Sequence, residues 1–305
     1  MRKPETLQSG DTVMIVAPAS AVNIEQVMQG KAKLEQLGLN VIIGQSVFEK
    51  RAYLAGSNAV RARDLHEAFA NKNVKAVICA RGGYGSGRLL PLLDFDLIRL
   101  NPKIFWGYSD ITALHIAILQ EANFITFHGP MVQELGGAEL DELTISSFQQ
   151  LFQPTALIFS AIYPNIYPSF SHSVTAPLVG GNLTILTSTL GTPYEIDTTD
   201  KILFIEDVDE EPYRIDRMLN QLRLAGKFDG CLGIVLGDFH NCLPNNRKES
   251  LTISEVVYDH IVPYGMPILS GFPIGHCKPN HGIPLGALVT MDGLDQALVF
   301  EPGVK

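Results

Sequence analysis

Apolar residues in the first half of the chain follow two alternating rhythms. Short continuous runs, Thr12 to Ala17, Val41 to Ile43 and Ala76 to Cys79, have the length and β-branched content of buried strands. Between them the apolar positions recur at helical spacing. Ile24, Val27, Leu34 and Leu37 mark one helix, which begins at Asn23 and stops at Gly38; Val60, Leu65 and Phe69 mark another, with Ser57 placed to cap it. The alternation continues to the run Phe124 to Phe127. Wholly apolar strands separated by helices predict an α/β fold with a parallel sheet covered on both faces. In such sheets ligands bind beyond the carboxyl ends of the strands.

One stretch changes its period halfway. Ile104 to Trp106 read as strand, Gly107 permits a tight turn, and Ile111, Leu114, Ile118 and Leu119 line one helix face. Ser109 therefore falls at the turn. One reading makes it the N-cap of the helix. The other makes it a nucleophile exposed beyond the strand end, with helix N–H groups behind it, although Gly107-Tyr108-Ser109-Asp110-Ile111 lacks the second glycine of the usual elbow.

Beyond residue 150 prolines punctuate a stretch rich in Ser and Tyr without helical period, which predicts a linker over 151–175 between domains at 1–150 and 176–305. The second region alternates again. Ile202 to Ile205 and Ile234 to Leu236 read as strands, and Leu183 to Leu190, Ile215 to Leu224 and Ile253 to Ile261 as helices. The tail from Gly271 to Phe300 reads as loop and strand.

Composition narrows the function. With 46% hydrophobic and 18% charged residues the chain is an ordinary globular protein, and its formal net charge of −9 argues against nucleic-acid and anionic-membrane partners. No apolar run reaches membrane-spanning length. A polar start before the first strand and four scattered cysteines predict a cytoplasmic protein with reduced thiols. A small molecule or peptide is the expected substrate.

Arg81-Gly82-Gly83-Tyr84-Gly85-Ser86-Gly87-Arg88 follows the third strand. Gly82 and Gly87 have P-loop spacing, but Arg88 and Leu89 replace the Lys and hydroxyl residue of that motif, and the third glycine of a dinucleotide fingerprint is missing. Two readings remain: a flexible turn, or a loop whose N–H groups face an oxyanion near Ser109. Among the eight histidines, His276 stands out because Gly271-Phe272-Pro273-Ile274-Gly275 would hold it in one conformation. His128 is second choice, and His115 reads as a helix residue, either packed or exposed. Glu206, at the end of the strand Ile202 to Ile205, is the candidate acid to orient a histidine. Asp207, Asp209, Glu210 and Glu211 read as a solvated turn. His276, Cys277 and His281 lack metal-ligand spacing.

Taken together, Arg81-Gly82-Gly83-Tyr84-Gly85-Ser86, Gly107-Tyr108-Ser109-Asp110, His128-Gly129-Pro130, Gly180-Gly181-Asn182-Leu183-Thr184, Glu206-Asp207 and Gly271 to His276 make the chain resemble the L,D-carboxypeptidases of peptidoglycan recycling. That serine peptidase family also contains the microcin C immunity peptidases. The resemblance implies a flavodoxin-like N-terminal domain and a smaller C-terminal α/β domain. It implies a triad of Ser109, His276 and Glu206, with no metal and no cofactor. The oxyanion hole would be formed by the N–H groups of Asp110 and Gly83. The implied substrate is a murein tetrapeptide losing its terminal D-alanine, and the implied assembly a homodimer. The alternatives are an immunity peptidase acting on a peptidyl-nucleotide and a two-domain binding protein without chemistry.

Overall fold

The computed structural model describes residues 1–137, 141–163, 165–245 and 249–305. Its strands, in chain order, are β1 (Thr12–Val16), β2 (Asn40–Ile43), β3 (Val74–Cys79), β4 (Ile104–Gly107), β5 (Thr126–His128), β6 (Leu157–Ser160) and β7 (Ser173–Asn182). They continue with β8 (Ile202–Val208), β9 (Gly233–His240), β10 (Ile268–Leu269), β11 (Ile283–Leu285), β12 (Leu288–Asp292) and β13 (Ala297–Phe300). Two compact units contain them. One comprises Met1–Thr155, His281–Gly286 and Pro302–Lys305, the other Ala156–Asn280 and Ala287–Glu301.

In the first unit the sheet order is β11-β5-β4-β3-β1-β2. β1 to β5 pair in parallel, and β11 closes the β5 edge antiparallel. Without β11 this is the flavodoxin-like order. The inner strands carry continuous apolar runs because both faces are covered there: Val13 to Val16, Ala76 to Cys79 and Ile104 to Trp106 are all buried, whereas the edge strand β2 is half-exposed. The crossover helices start where polar caps end the backbone's search for acceptors. Asn23 accepts from the Gln26 N–H at the head of α1 (Ile24–Gln36), and Ser57 from the Val60 N–H at the head of α2 (Asn58–Ala70). The core continues around Trp106, stacked on Phe127 and Phe148, with its indole N–H donating to the Pro130 carbonyl at 2.6 Å.

In the second unit the order is β10-β9-β8-β7-β12-β13-β6. β10, β9, β8 and β7 are parallel; β12, β13 and β6 join antiparallel. The stretch expected as a linker holds β6, an edge strand against β13, and the start of β7. The apolar run Leu157 to Phe159 of β6 is short and sits near Pro154, Pro168 and Pro177, whose loop signal outweighs it. β8 is buried from Ile202 to Asp207. Its carboxyl end therefore delivers two acidic side chains into protein rather than solvent.

Candidate active site

Ser109 lies two residues beyond the end of β4, in the first unit, with φ at +62°. That is the left-handed region, where a residue with a Cβ is strained and persists only if its surroundings impose it. The surroundings are Gly107 and the glycine loop. A Cβ on Gly107 would lie 2.9 Å from the Cβ of Cys79, so only glycine lets β4 end this close to β3. A Cβ on Gly82 would lie 3.1 Å from the Cβ of Ser109. Ser109 is not a helix cap: the helical turn Ser109–Ile111 begins after Tyr108 and has no side-chain capping bond. Of the two readings of this serine, its backbone has the geometry of the strained elbow.

Asp110 stitches this turn to the glycine loop. Its carboxylate accepts from the N–H groups of Gly85 at 3.2 Å and Ser86 at 2.8 Å, and its carbonyl accepts from the Ser86 hydroxyl at 2.5 Å. Gly83 has φ at +99°, and its N–H has no intramolecular acceptor among the described residues. His115, buried on the helix behind the turn, holds the Gly107 carbonyl at 2.8 Å and the Thr126 hydroxyl at 2.9 Å. A carbonyl only accepts, so Nε2 carries the proton and Nδ1 takes the threonine hydrogen. Burial lowers this histidine to about 4, so it is a neutral brace. His128 is buried on β5 with its ring edge-on to Tyr108.

Glu206 and His276 meet in the second unit. His276 Nδ1 is 2.6 Å from Glu206 Oε2, and Glu206 is fully buried at the end of β8. A carboxylate accepts, so Nδ1 is the donor in this bond, and Nε2 is the nitrogen that is basic in the neutral form of the ring. Glycines make the approach possible: a Cβ on Gly275, whose φ is +128°, would lie 3.1 Å from Glu206 Oε2, and one on Gly237 would lie 2.4 Å from the Ile274 carbonyl. Glu206 Oε1 has no hydrogen-bond partner among the described residues.

Asp207 is a correction. Expected in a solvated turn, it is 2% exposed, and its carboxylate accepts from the Asn182 amide at 2.9 Å, the Thr184 N–H at 2.9 Å and the Thr184 hydroxyl at 2.8 Å. It ties β8 to the head of the helix Leu183–Ser188, which Asn182 caps. The signal was present in Asn182-Leu183-Thr184, polar residues closing an apolar strand, but nothing local linked them to position 207. Asp238, at the end of β9, was also missed. Burial raises its carboxyl above the ordinary range while His240 and His276 oppose that shift. His240 Nδ1 stands 3.3 Å from it, an ion-pair distance without hydrogen-bond alignment. Among the described residues no three His, Cys, Asp or Glu side chains are grouped to hold a metal ion. No helix among them is long and apolar enough to cross a membrane.

The profile of the LD-carboxypeptidase N-terminal domain matches residues 13–129, and that of the LD-carboxypeptidase C-terminal domain matches residues 175–291. The chain belongs to the LD-carboxypeptidase family. It is thus a peptide hydrolase by descent. It is 48% identical over 304 residues to a protein of Bacillus subtilis (strain 168) named "Probable murein peptide carboxypeptidase", covering 99% of this chain and 95% of that one. Among solved structures it is similar to a muramoyltetrapeptide carboxypeptidase from Oxalobacter formigenes, with a TM-score of 0.87, 29% identity, and 96% and 100% of the two chains covered. An MccF-like protein from Bacillus anthracis str. Ames gives a TM-score of 0.89 at 29% identity, covering 99% and 100%.

Proposed function

We propose that Ser109, His276 and Glu206 act as one Ser/His/Glu triad, and that the chain removes the terminal D-alanine from murein tetrapeptides in peptidoglycan recycling. The nucleophile then comes from the N-terminal domain and the acid and base from the C-terminal one. The observation that carries the reading is the strained backbone of Ser109 in a member of this family. His276 Nε2 takes the Ser109 proton as Oγ attacks the carbonyl that joins an L centre to the D residue. Glu206 keeps the ring in the required tautomer and stabilises the imidazolium. The N–H groups of Asp110 and Gly83 receive the oxyanion; one such donor is worth about 3 kcal/mol of barrier in comparable sites. His276 then returns the proton to the departing amine of D-alanine, and water releases the acyl group from Ser109 by the same steps in reverse. A cytoplasmic homodimer without metal, cofactor, nucleic-acid or membrane partner is part of the proposal.

The test is a pair of synthetic tetrapeptides, one ending in D-alanine and one in L-alanine, with mass spectrometry for loss of one alanine and Ser109→Ala as the blank. Inverting the last centre swings its methyl toward the position of its hydrogen, so a contact breaks or clashes. Cleavage of the D-epimer with at least about tenfold lower kcat/KM for the L-epimer, ~1.4 kcal/mol, is the expected result. Equal rates remove the L,D assignment. Turnover of a peptidyl-nucleotide in preference to either peptide points to the immunity-peptidase alternative. A chain that cleaves none of these and resists a serine-directed fluorophosphonate is a binding protein.

A further inference from the structure

We infer that Arg61, on α2, is a positioning residue for the oxyanion side of this site, acting through a clamp on the peptide group between Gly85 and Ser86. The inference rests on the serine-peptidase reading above. Arg61 is 0% exposed. Its Nη1 donates to the Pro18 carbonyl at 2.5 Å and the Gly85 carbonyl at 2.8 Å, and its Nη2 to the Asn58 side chain at 2.6 Å. Pro18 follows β1 and Gly85 follows β3, so one guanidinium ties the loops at the carboxyl ends of two adjacent strands.

The other side of the same peptide group faces an anion. Ser86 N–H donates to the Asp110 carboxylate at 2.8 Å while the Gly85 carbonyl accepts from Arg61. A peptide held between a cation at its carbonyl and an anion at its N–H is polarised from both ends, and each charge-assisted bond is stronger than a neutral one. Asp110 is the residue after Ser109. Through it the clamp reaches the turn that carries the nucleophile and one candidate oxyanion donor.

The second donor is reached through the β1 loop. Ser20 donates its N–H to the Gly82 carbonyl at 3.2 Å, and its hydroxyl accepts from the Tyr84 N–H at 3.1 Å. Gly83 is thus bracketed by two residues anchored to the same loop whose Pro18 carbonyl Arg61 holds. A Cβ on Gly85 would lie 3.0 Å from Nη1, so the glycine is what admits the guanidinium. An oxyanion hole works only when its donors sit about 2.7–3.1 Å from the developing charge, so a loop shift of a few tenths of an ångström is felt in the rate. A cation buried only to fill space is costly, because a well-packed apolar side chain serves as well. Arg61 places two hydrogen bonds on loop carbonyls that an apolar residue could not hold, and a third on Asn58 at the head of its own helix, which fixes the guanidinium.

The experiment compares wild type, Arg61→Lys and Arg61→Met. It measures the rate of fluorophosphonate labelling at Ser109, kcat and KM on a murein tetrapeptide, and thermal unfolding of each protein. Lysine keeps the charge and the stem but cannot span both carbonyls and Asn58 with one ammonium. Arg61→Lys is expected to label and turn over about tenfold more slowly with KM within about twofold, and Arg61→Met about 100-fold more slowly. Asp110→Asn added to Arg61→Met is expected to cost less than the product of the two separate losses, since both hold one peptide group. If Arg61→Met does not fold, Arg61→Lys decides. An Arg61→Lys protein that unfolds like wild type and labels at the wild-type rate, or that changes KM alone, overturns the clamp and leaves the triad standing. Wild type that neither labels nor cleaves overturns the triad, and the clamp with it.

Discussion

The carboxyl ends of the two sheets hold their polar groups in opposite ways. In the first unit the Ser109 turn is stitched on every side: Asp110 takes two loop N–H groups, Ser20 takes a third, and His115 pins the Gly107 carbonyl. In the second, two adjacent carboxylates divide the work. Asp207 is saturated by Asn182 and Thr184, whereas Glu206 gives one oxygen to His276 and leaves the other without a partner among the described residues. An unsatisfied buried acceptor costs about 1–3 kcal/mol. Its neighbour shows that the fold can satisfy a carboxylate at this strand end, so the cost at Glu206 has another reason. The proposed triad supplies one: its nucleophile would need a fixed backbone, and its acid, which would stabilise a cation, charge not already neutralised. The contrast between the two regions is between a scaffold and a reserve.

The largest effect that bears on this contrast is at the scaffold. Ser109→Ala is expected to lower kcat/KM at least about 10⁴-fold and abolish fluorophosphonate labelling. Retention of most activity would falsify the nucleophile assignment. Next comes Glu206→Gln. It is expected to lower kcat about 10³-fold with little change in KM, because the acid acts as charge develops on His276, and Glu210→Gln is expected to match wild type. Equal impairment of the two variants means the wrong carboxylate has been chosen.

The brace behind the turn gives a pH signature. His115 is held neutral with a value of about 4, below the 6.5 of a free histidine, so the unfolded chain binds the extra proton between those values. Its stabilising contribution is complete above about pH 6.5 and is lost as pH falls toward 4, by about 3 kcal/mol in all. Urea midpoints at pH 7 and pH 4.5 are expected to fall less steeply for His115→Gln than for wild type. Identical slopes remove His115 from the account. The smallest effect belongs to the saturated carboxylate. Asp207→Asn leaves two threonine donors facing a weaker acceptor and is expected to cost about 2 kcal/mol of stability, lowering Tm by about 5 °C with kcat preserved. A variant with normal Tm and lost kcat would reverse the roles of residues 206 and 207.

The elements that position the site were legible because their signals are local. The switch of period at Gly107, the caps at Asn23 and Ser57, and the apolar runs of β1, β3, β4, β8 and β9 each occupy a few residues, and burial on both faces writes itself into such runs directly. β6 reads as linker although Leu157 to Phe159 is an apolar run as long as Ile104 to Trp106, because the surrounding prolines and the Ser- and Tyr-rich composition signal loop more strongly than three residues signal strand.

The sequence by itself determined the alternation of strands and helices in the first unit and its parallel sheet, and the presence of a serine at one strand end and a carboxylate at another. Only the tertiary structure decided what each polar side chain does. It put Ser109 in the left-handed region instead of at a helix cap, and it buried Asp207 against Thr184, 23 residues away in the chain. It also joined His276 to Glu206 across 70 residues, and Arg61 to Gly85 across 24. The reason is physical. Hydrophobic burial follows periodicity, which is a property of neighbours in sequence, whereas a hydrogen bond or an ion pair depends on which distant segment the sheet brings alongside, and adjacent carboxylates at one strand end differ only in the partners they meet there.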